Sequence, residues 1–213
     1  MPSEQEISDV LDTLAEYVTD IGDRVTHAYV EGILKATPNE EIGPIELRGH
    51  RCISDGEVYY IAAHPELRGV SIAYHLSLTE NIANELSHEH AEAILNAVEI
   101  DVHESDPRML ASSYLLRDAD RSDVQAFRSY FKIAAGGERY STNLNVSDSG
   151  AFEGYGLERM IFPYEDDFSI EEFNDAVTTI VSSGSRTAEI IRRNVNLIVD
   201  EDEPANTEII FGN

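Results

Sequence analysis

Two runs rich in β-branched and aromatic residues, Val58-Tyr59-Tyr60-Ile61-Ala62-Ala63-His64 and Val70-Ser71-Ile72-Ala73-Tyr74-His75-Leu76, flank the segment Pro65-Glu66-Leu67-Arg68-Gly69. A proline and a glycine stand where a turn needs them, which predicts a β-hairpin. In the second run Val70, Ile72, Tyr74 and Leu76 fall on one face and Ser71, Ala73 and His75 on the other, the alternation of a half-buried antiparallel strand. Upstream, Ile7, Leu11, Leu14, Val18, Ile21, Val25 and Ala28 recur at alternating spacings of four and three. This predicts a helix from Ser3 to Ala36, stopped by Thr37-Pro38-Asn39. The stripe is as narrow as a coiled-coil seam, although Gly22 and Gly32 weaken it. It suits a helix packed on its own domain or one that pairs with a second copy, with Leu14 and Ile21 at the contact.

Between these elements an edge strand is expected near Ile45 or Cys52, followed by a turn at Ser54-Asp55-Gly56. Ser77 and Ser87 both read as helix starts, the first with a glutamate at capping-box spacing. Val98, Ile100 and Val102 alternate like a strand. Pro107 opens a helix through Leu116, and Ser122-Asp123 caps another in which Val124, Phe127, Tyr130, Phe131 and Ala134 share a face. Strands are expected over Tyr140 to Val146 and Leu157 to Tyr164, with Gly154-Tyr155-Gly156 in the loop between them. The last helix is marked by a cap at Ser169 and a hydrophobic staple of Phe168 with Phe173. Its stripe of Phe173, Val177, Ile180, Gly184, Ala188 and Ile191 contains a glycine, which predicts close backbone approach or a kink. Together these elements predict an α+β fold in which an antiparallel sheet packs against long N-terminal and C-terminal helices. A single domain is expected over 1–199, with the helix at 1–37 and the sheet and remaining helices at 42–199. An acidic C-terminal tail follows at 200–213, and Ile209-Ile210-Phe211 within it either docks or meets a partner.

Charge changes this picture more than any other global property. The chain carries 41 acidic and 15 basic residues, a net charge of −26 spread along its whole length. Lys35 and Lys132 are its only lysines. An acidic excess almost without lysine matches the surface of a protein from a halophilic cytoplasm, where molar salt screens self-repulsion within a few ångströms. No basic patch is visible, which argues against nucleic acid as a partner. No apolar run reaches the roughly 18 residues of a membrane span, and the start of the chain is acidic rather than signal-like. A cytoplasmic protein without membrane contact is expected. A lone Cys52 excludes an intramolecular disulfide and a cysteine-based metal cluster.

The residues that invite a catalytic reading are His88, Glu89, His90 and Glu92, with His64 and His75 in the hairpin. Two imidazoles and a carboxylate suit zinc. On a helix, however, His88 and His90 point roughly 200° apart, unlike ligands at i and i+4 that share a metal. Gly154-Tyr155-Gly156 lacks the third glycine and the strand-to-helix setting of a dinucleotide loop. No nucleophile elbow, phosphate-binding loop or complete calcium loop is present, and no cofactor is expected.

The order of elements, with Leu86-Ser87-His88-Glu89-His90 before a helix and Tyr164-Glu165-Asp166-Asp167-Phe168-Ser169-Ile170-Glu171-Glu172-Phe173 at a strand end and helix start, resembles the type III secretion chaperone-like fold of the YbjN-like and related uncharacterised archaeal families. The resemblance covers about half the chain, from Tyr60 to Leu95 and from Arg159 to Ile191. It implies a non-enzymatic, often dimeric module that holds a protein or peptide partner on its sheet or helices. The residues expected at such a surface are Tyr60, Ala62, Ile72 and Tyr74 on the sheet, or Leu14 and Ile21 on the first helix. The alternative is a metal-assisted hydrolase that uses His88, His90 and His64.

Overall fold

The first helix stops well short of where its apolar stripe runs. In the computed structural model, which describes residues 1–32, 46–64, 66–101, 105–147, 149–199 and 206–212, α1 spans Glu4–Asp20. It opens on a capping box in which the Ser3 hydroxyl accepts from the Glu6 amide and the Glu6 carboxylate accepts from the Ser3 amide. Gly22 takes φ +90°, a conformation that costs glycine nothing, and the chain leaves the helix there to form β1 (Arg24–Gly32). Val25 and Ala28, the last positions of the stripe, therefore lie on a strand. The helix expected over 1–37 is thus corrected: β-branched and aromatic Val25, Thr26 and Tyr29 favour a pleated surface, and the glycine releases them to it. The expected stop at 37–39 lies outside the described residues.

The chain divides into two compact units, Met1–His75 with Gly137–Ser141 and Leu157–Ser185, and Leu76–Gly136 with Thr142–Gly156 and Arg186–Asn213. No linker marks this division, because individual strands and the last helix begin in one unit and end in the other. In the first unit β2 (Glu46–Ser54), β3 (Glu57–Ala63) and β4 (Val70–Ser77) join β1 in an antiparallel meander. The expected hairpin is β3–β4. The β2–β3 connection is the two-residue turn Asp55-Gly56, both at positive φ, which matches the twist of the strands it joins. With β5 (Ser141–Val146) and β6 (Phe152–Ile161) the strand order is β1-β2-β3-β4-β6-β5. The mixed helix and antiparallel sheet is the expected α+β class.

Register decides which side chains share a face, because residues directly opposite in antiparallel strands point the same way. His50 pairs with Ile61 and Ile61 with Ile72; Cys52 pairs with Tyr59. These side chains are buried, Ile61, Ile72, Cys52 and Tyr59 completely. α1 covers this face with Ile7, Leu11, Leu14 and Val18, all buried, and His50 donates from Nε2 to the Leu11 carbonyl at 3.0 Å. The last helix, α6 (Ile170–Asn194), contributes Phe173, Ala176, Val177 and Ile180. Phe168 and Phe173 both meet the Tyr17 ring, with centroids 6.4 and 5.9 Å away. The two phenylalanines of the expected staple thus share the Tyr17 ring of α1 as a neighbour.

The second unit contains α2 (Leu78–Glu85), α3 (His88–Ala97), α4 (Pro107–Asp118) and α5 (Arg121–Ala134). Ser77 and Ser87 cap α2 and α3 as the pattern predicts. Asp120, two residues before the expected position, caps α5. Val98 and Ile100 do not continue as a strand: their amides bond back to Ile94 and Leu95, and Glu99 at φ +57° turns the chain. Phe127 and Phe131 of α5 meet Phe152 and Tyr155 of β6 in an aromatic core, while Tyr130 is exposed. Gly154 lies inside β6 rather than in a loop, and a Cβ there would strike the Leu76 carbonyl. β7 (Val195–Ile198) pairs with β8 (Glu208–Phe211). The apolar end of the chain therefore docks, with Phe211 against Phe127 at 5.5 Å. The acidic segment 200–205 lies outside the described residues. No helix among those described is long and apolar enough to cross a membrane.

Candidate binding surfaces

The sheet of the first unit has a second face, and its composition differs from the core face. Tyr29 pairs with Gly49, Gly49 with Ala62 and Ala62 with Ser71; one pleat along, His27 pairs with Arg51, Arg51 with Tyr60 and Tyr60 with Ala73. Tyr29, Tyr60, Ala62 and Arg51 are half-buried and His75 is exposed, whereas both helices of the unit pack on the opposite side. The rings form a row: Tyr29 and Tyr60 meet edge to face at 6.3 Å, and Tyr60 and His75 lie 5.7 Å apart. Tyr29 is fixed by its hydroxyl, which donates to the Ile61 carbonyl at 3.3 Å, and by Gly49, where any Cβ would collide with the tyrosine ring. Ser71 donates to the Glu158 carboxylate at 2.6 Å, which fixes the polar end of the same face.

This arrangement separates the residues that the sequence groups together. Tyr60 and Ala62 lie on the half-exposed face, but Ile72 and Tyr74, at 0% and 5% exposure, belong to the core face. The reason is the two-residue period of the pleat: Tyr60 and Ala62 sit opposite Ala73 and Ser71, so the intervening Ile72 points the other way. Tyr74 donates to Glu57 at 3.1 Å and its ring lies against Gly184 of α6. Leu14 is fully buried in its own unit and Ile21, half-buried, ends α1 as its C-cap. Leu14 is thus already enclosed within its own unit. Tyr29 and Gly49 were missed because the predicted helix to Ala36 absorbed the first and nothing local marks the second. The signal for Tyr29 is Gly22 followed by β-branched residues.

A hollow of about 500 Å³ opens where the β2–β3 turn meets α6. It is lined by Asp23, Asp55 and Glu57 with the hydroxyls of Ser54, Thr178 and Ser182, but two of its carboxylates are already engaged. Asp23 accepts from Tyr59 at 3.0 Å, and Glu57 from both Tyr74 and Ser185. Beneath it, burial pushes the Cys52 thiol up to about 12 and the Tyr59 phenol far above its ordinary range. Both stay protonated and neither serves as a nucleophile.

The histidine cluster does not assemble. His88 lies 3.5 Å from Glu92 one turn on, and His90 Nδ1 shares a hydrogen bond with the Ser87 cap at 2.9 Å. His64 accepts from the Glu66 amide through Nδ1 at 3.2 Å. Among the described residues no group of three or more histidine, cysteine, aspartate or glutamate side chains converges as metal ligands do.

In the second unit the end of α4, the first turns of α5 and the turn after β5 enclose a cleft of about 150 Å³. Arg117 comes from α4; Arg121, Gln125 and Arg128 follow at helical spacing along one face of α5. The sequence shows no run of basic residues, yet the fold gathers three of the 13 arginines here. Their i, i+4, i+7 spacing on α5 is the signal, hidden by the acids between them.

No protein-family model matches the chain, and no curated protein matches it in sequence. Its fold is similar to the crystal structure of an uncharacterized protein from Methanothermobacter thermautotrophicus, with a TM-score of 0.52 over 86% of this chain and 97% of that one. The two are 10% identical, so the likeness is one of fold alone.

Proposed function

We propose that this chain is a non-enzymatic, chaperone-like or adaptor-like binding module that holds an extended segment of a partner protein on the Tyr29–Tyr60–Ala62 face. The observation that carries this reading is a row of half-exposed aromatic rings, held by Tyr29 Oη and Gly49, on the sheet face opposite the unit's own helices. Rigid tyrosines bury large area at low entropic cost, and a small half-buried neighbour such as Ala62 leaves room for a partner's side chains. Arg51 and His27 border the face, so the segment that fits best presents apolar side chains toward the sheet and an acidic group beside them. The resemblance to type III secretion chaperone-like folds points the same way. The hydrolase alternative gains no comparable support, because each histidine it needs is engaged by a local neighbour.

The test is selection of peptide binders from a displayed library against the full chain, followed by affinity measurement on variants. Tyr60→Ala and Ala62→Arg should each weaken the selected peptides by about tenfold or more, since a central aromatic anchor is worth about 2 kcal/mol or more. The thermal midpoint should stay within a few degrees. Binders indifferent to both substitutions would place the partner elsewhere and remove the reading.

A further inference from the structure

The cleft between α4 and α5 gathers three arginines that have no ion pair among the described residues. Among the described residues, no carboxylate lies within 4 Å of Arg117, Arg121 or Arg128. By contrast, Arg48, Arg68, Arg108, Arg139, Arg159, Arg192 and Arg193 each have an acidic partner. In a chain with 41 acids and 15 bases, three guanidiniums lining one concavity with no acid among its described lining residues is the reverse of the surface pattern. The neighbouring acids Asp118, Asp120 and Asp123 line a different hollow, with Glu208. Asp120 also accepts the Ser122 and Asp123 amides as the cap of α5, so the helix terminus itself has little left to offer an anion.

Arg128 supplies the most specific observation. Its Nε is buried and has no hydrogen-bond partner, whereas a buried guanidinium N–H ordinarily finds an acceptor. Arg117 is oriented by its stacking over Tyr114, 5.6 Å from the ring centroid. Ser149 and Gly150 close the opposite wall in a turn held by the Gly150 amide on the Ser147 carbonyl at 2.9 Å. The space, about 150 Å³, is below the roughly 300 Å³ of a drug-sized site and suits a single compact oxyanion. Three positive charges on fork-shaped donors are best offset by a dianion with several acceptor oxygens.

The geometry points to a phosphate-binding site at Arg117, Arg121 and Arg128, taking either the free ion or the phosphoryl group of a small monoester. The guanidinium groups of Arg117, Arg121 and Arg128 that line the cleft are its donors, with Gln125 beside them. A polyanion is disfavoured by the overall charge of −26, whereas a single phosphate meets only the local field.

Titration of inorganic phosphate into the full chain, followed by ³¹P NMR, tests the assignment. One phosphate per chain is expected. Arg121→Ala, an exposed position whose loss leaves folding intact, and Arg128→Lys, which keeps charge but removes the fork, should each weaken binding about tenfold or more. Arg192→Ala, on the surface of α6, should leave it unchanged. A parallel titration with phenyl phosphate separates the sources: tighter binding than inorganic phosphate identifies a monoester as the ligand, equal or weaker binding the free ion. No saturable phosphate binding, equal weakening by all three variants, or acetate displacing phosphate at equal concentration would overturn the site.

Discussion

A Cβ on Gly184 would clash with the ring of Tyr74, so two ordinary expectations for this residue pull in opposite directions. Glycine within a helix costs about 1 kcal/mol relative to alanine, yet Gly184→Ala must push α6 away from β4 or tilt a buried tyrosine that is hydrogen-bonded to Glu57. Overpacking of this kind costs about 1–3 kcal/mol, and we expect it to win: chemical denaturation should show Gly184→Ala destabilised despite its better helix propensity. Cys52 gives a second expectation at this scale. Its folded pKa, pushed up to about 12 by burial, lies above that of an unfolded thiol. The folded state therefore holds its proton more tightly, and this contribution is complete below about pH 9 and lost as pH rises toward 12. Alkaline titration of stability should show a decline over that window that Cys52→Ala reduces, and thiol reagents should label Cys52 only on unfolding. Gly184 was legible in the sequence because it interrupts an apolar stripe. The separation of Ile72 and Tyr74 from Tyr60 and Ala62 was not, because face depends on the partner strand and a pairing register is not a local property.

Among the elements, those fixed by nearest-neighbour chemistry match their sequence signals. Ser77, Ser87 and Ser169 start helices, and β3 pairs with β4 as the expected hairpin. The misread elements are those where periodicity competes with strand preference. α1 yields to β1 at Gly22, and the alternation of Val98 and Ile100 is the closing turn of α3. The arginine cleft was hidden for a related reason, since Arg117 and Arg121 belong to different helices and meet only because Ala119 breaks the chain between them. The short β8 tests how far tertiary contacts hold an element of low intrinsic stability. Phe211 is 6% exposed against Phe127, and Phe211→Ala should cost about 3 kcal/mol. Hydrogen exchange should then show Ile209 to Phe211 opening before α5.

At the scale of the whole molecule, a net charge of −26 makes self-repulsion a standing cost of folding. The Debye length falls from about 10 Å at 0.1 M salt to about 3 Å at 1 M, so the melting temperature should rise over that range. A flat or falling curve would mean that the acidic surface is compensated by pairings among its own residues. The same field bears on partner choice. It repels acidic proteins at long range, and the Tyr29–Tyr60 face of the sheet, bordered by Arg51 and His27, is a neutral-to-basic exception to it. That face is the centre of the functional account, and an NMR chemical-shift footprint of a selected peptide on the labelled full chain tests it most directly. The largest shifts are expected at Tyr29, Gly49, Tyr60, Ala62 and Ala73, with α1 little changed. Shifts concentrated on the exposed side of α1 or α6, with these five residues unmoved, would contradict it.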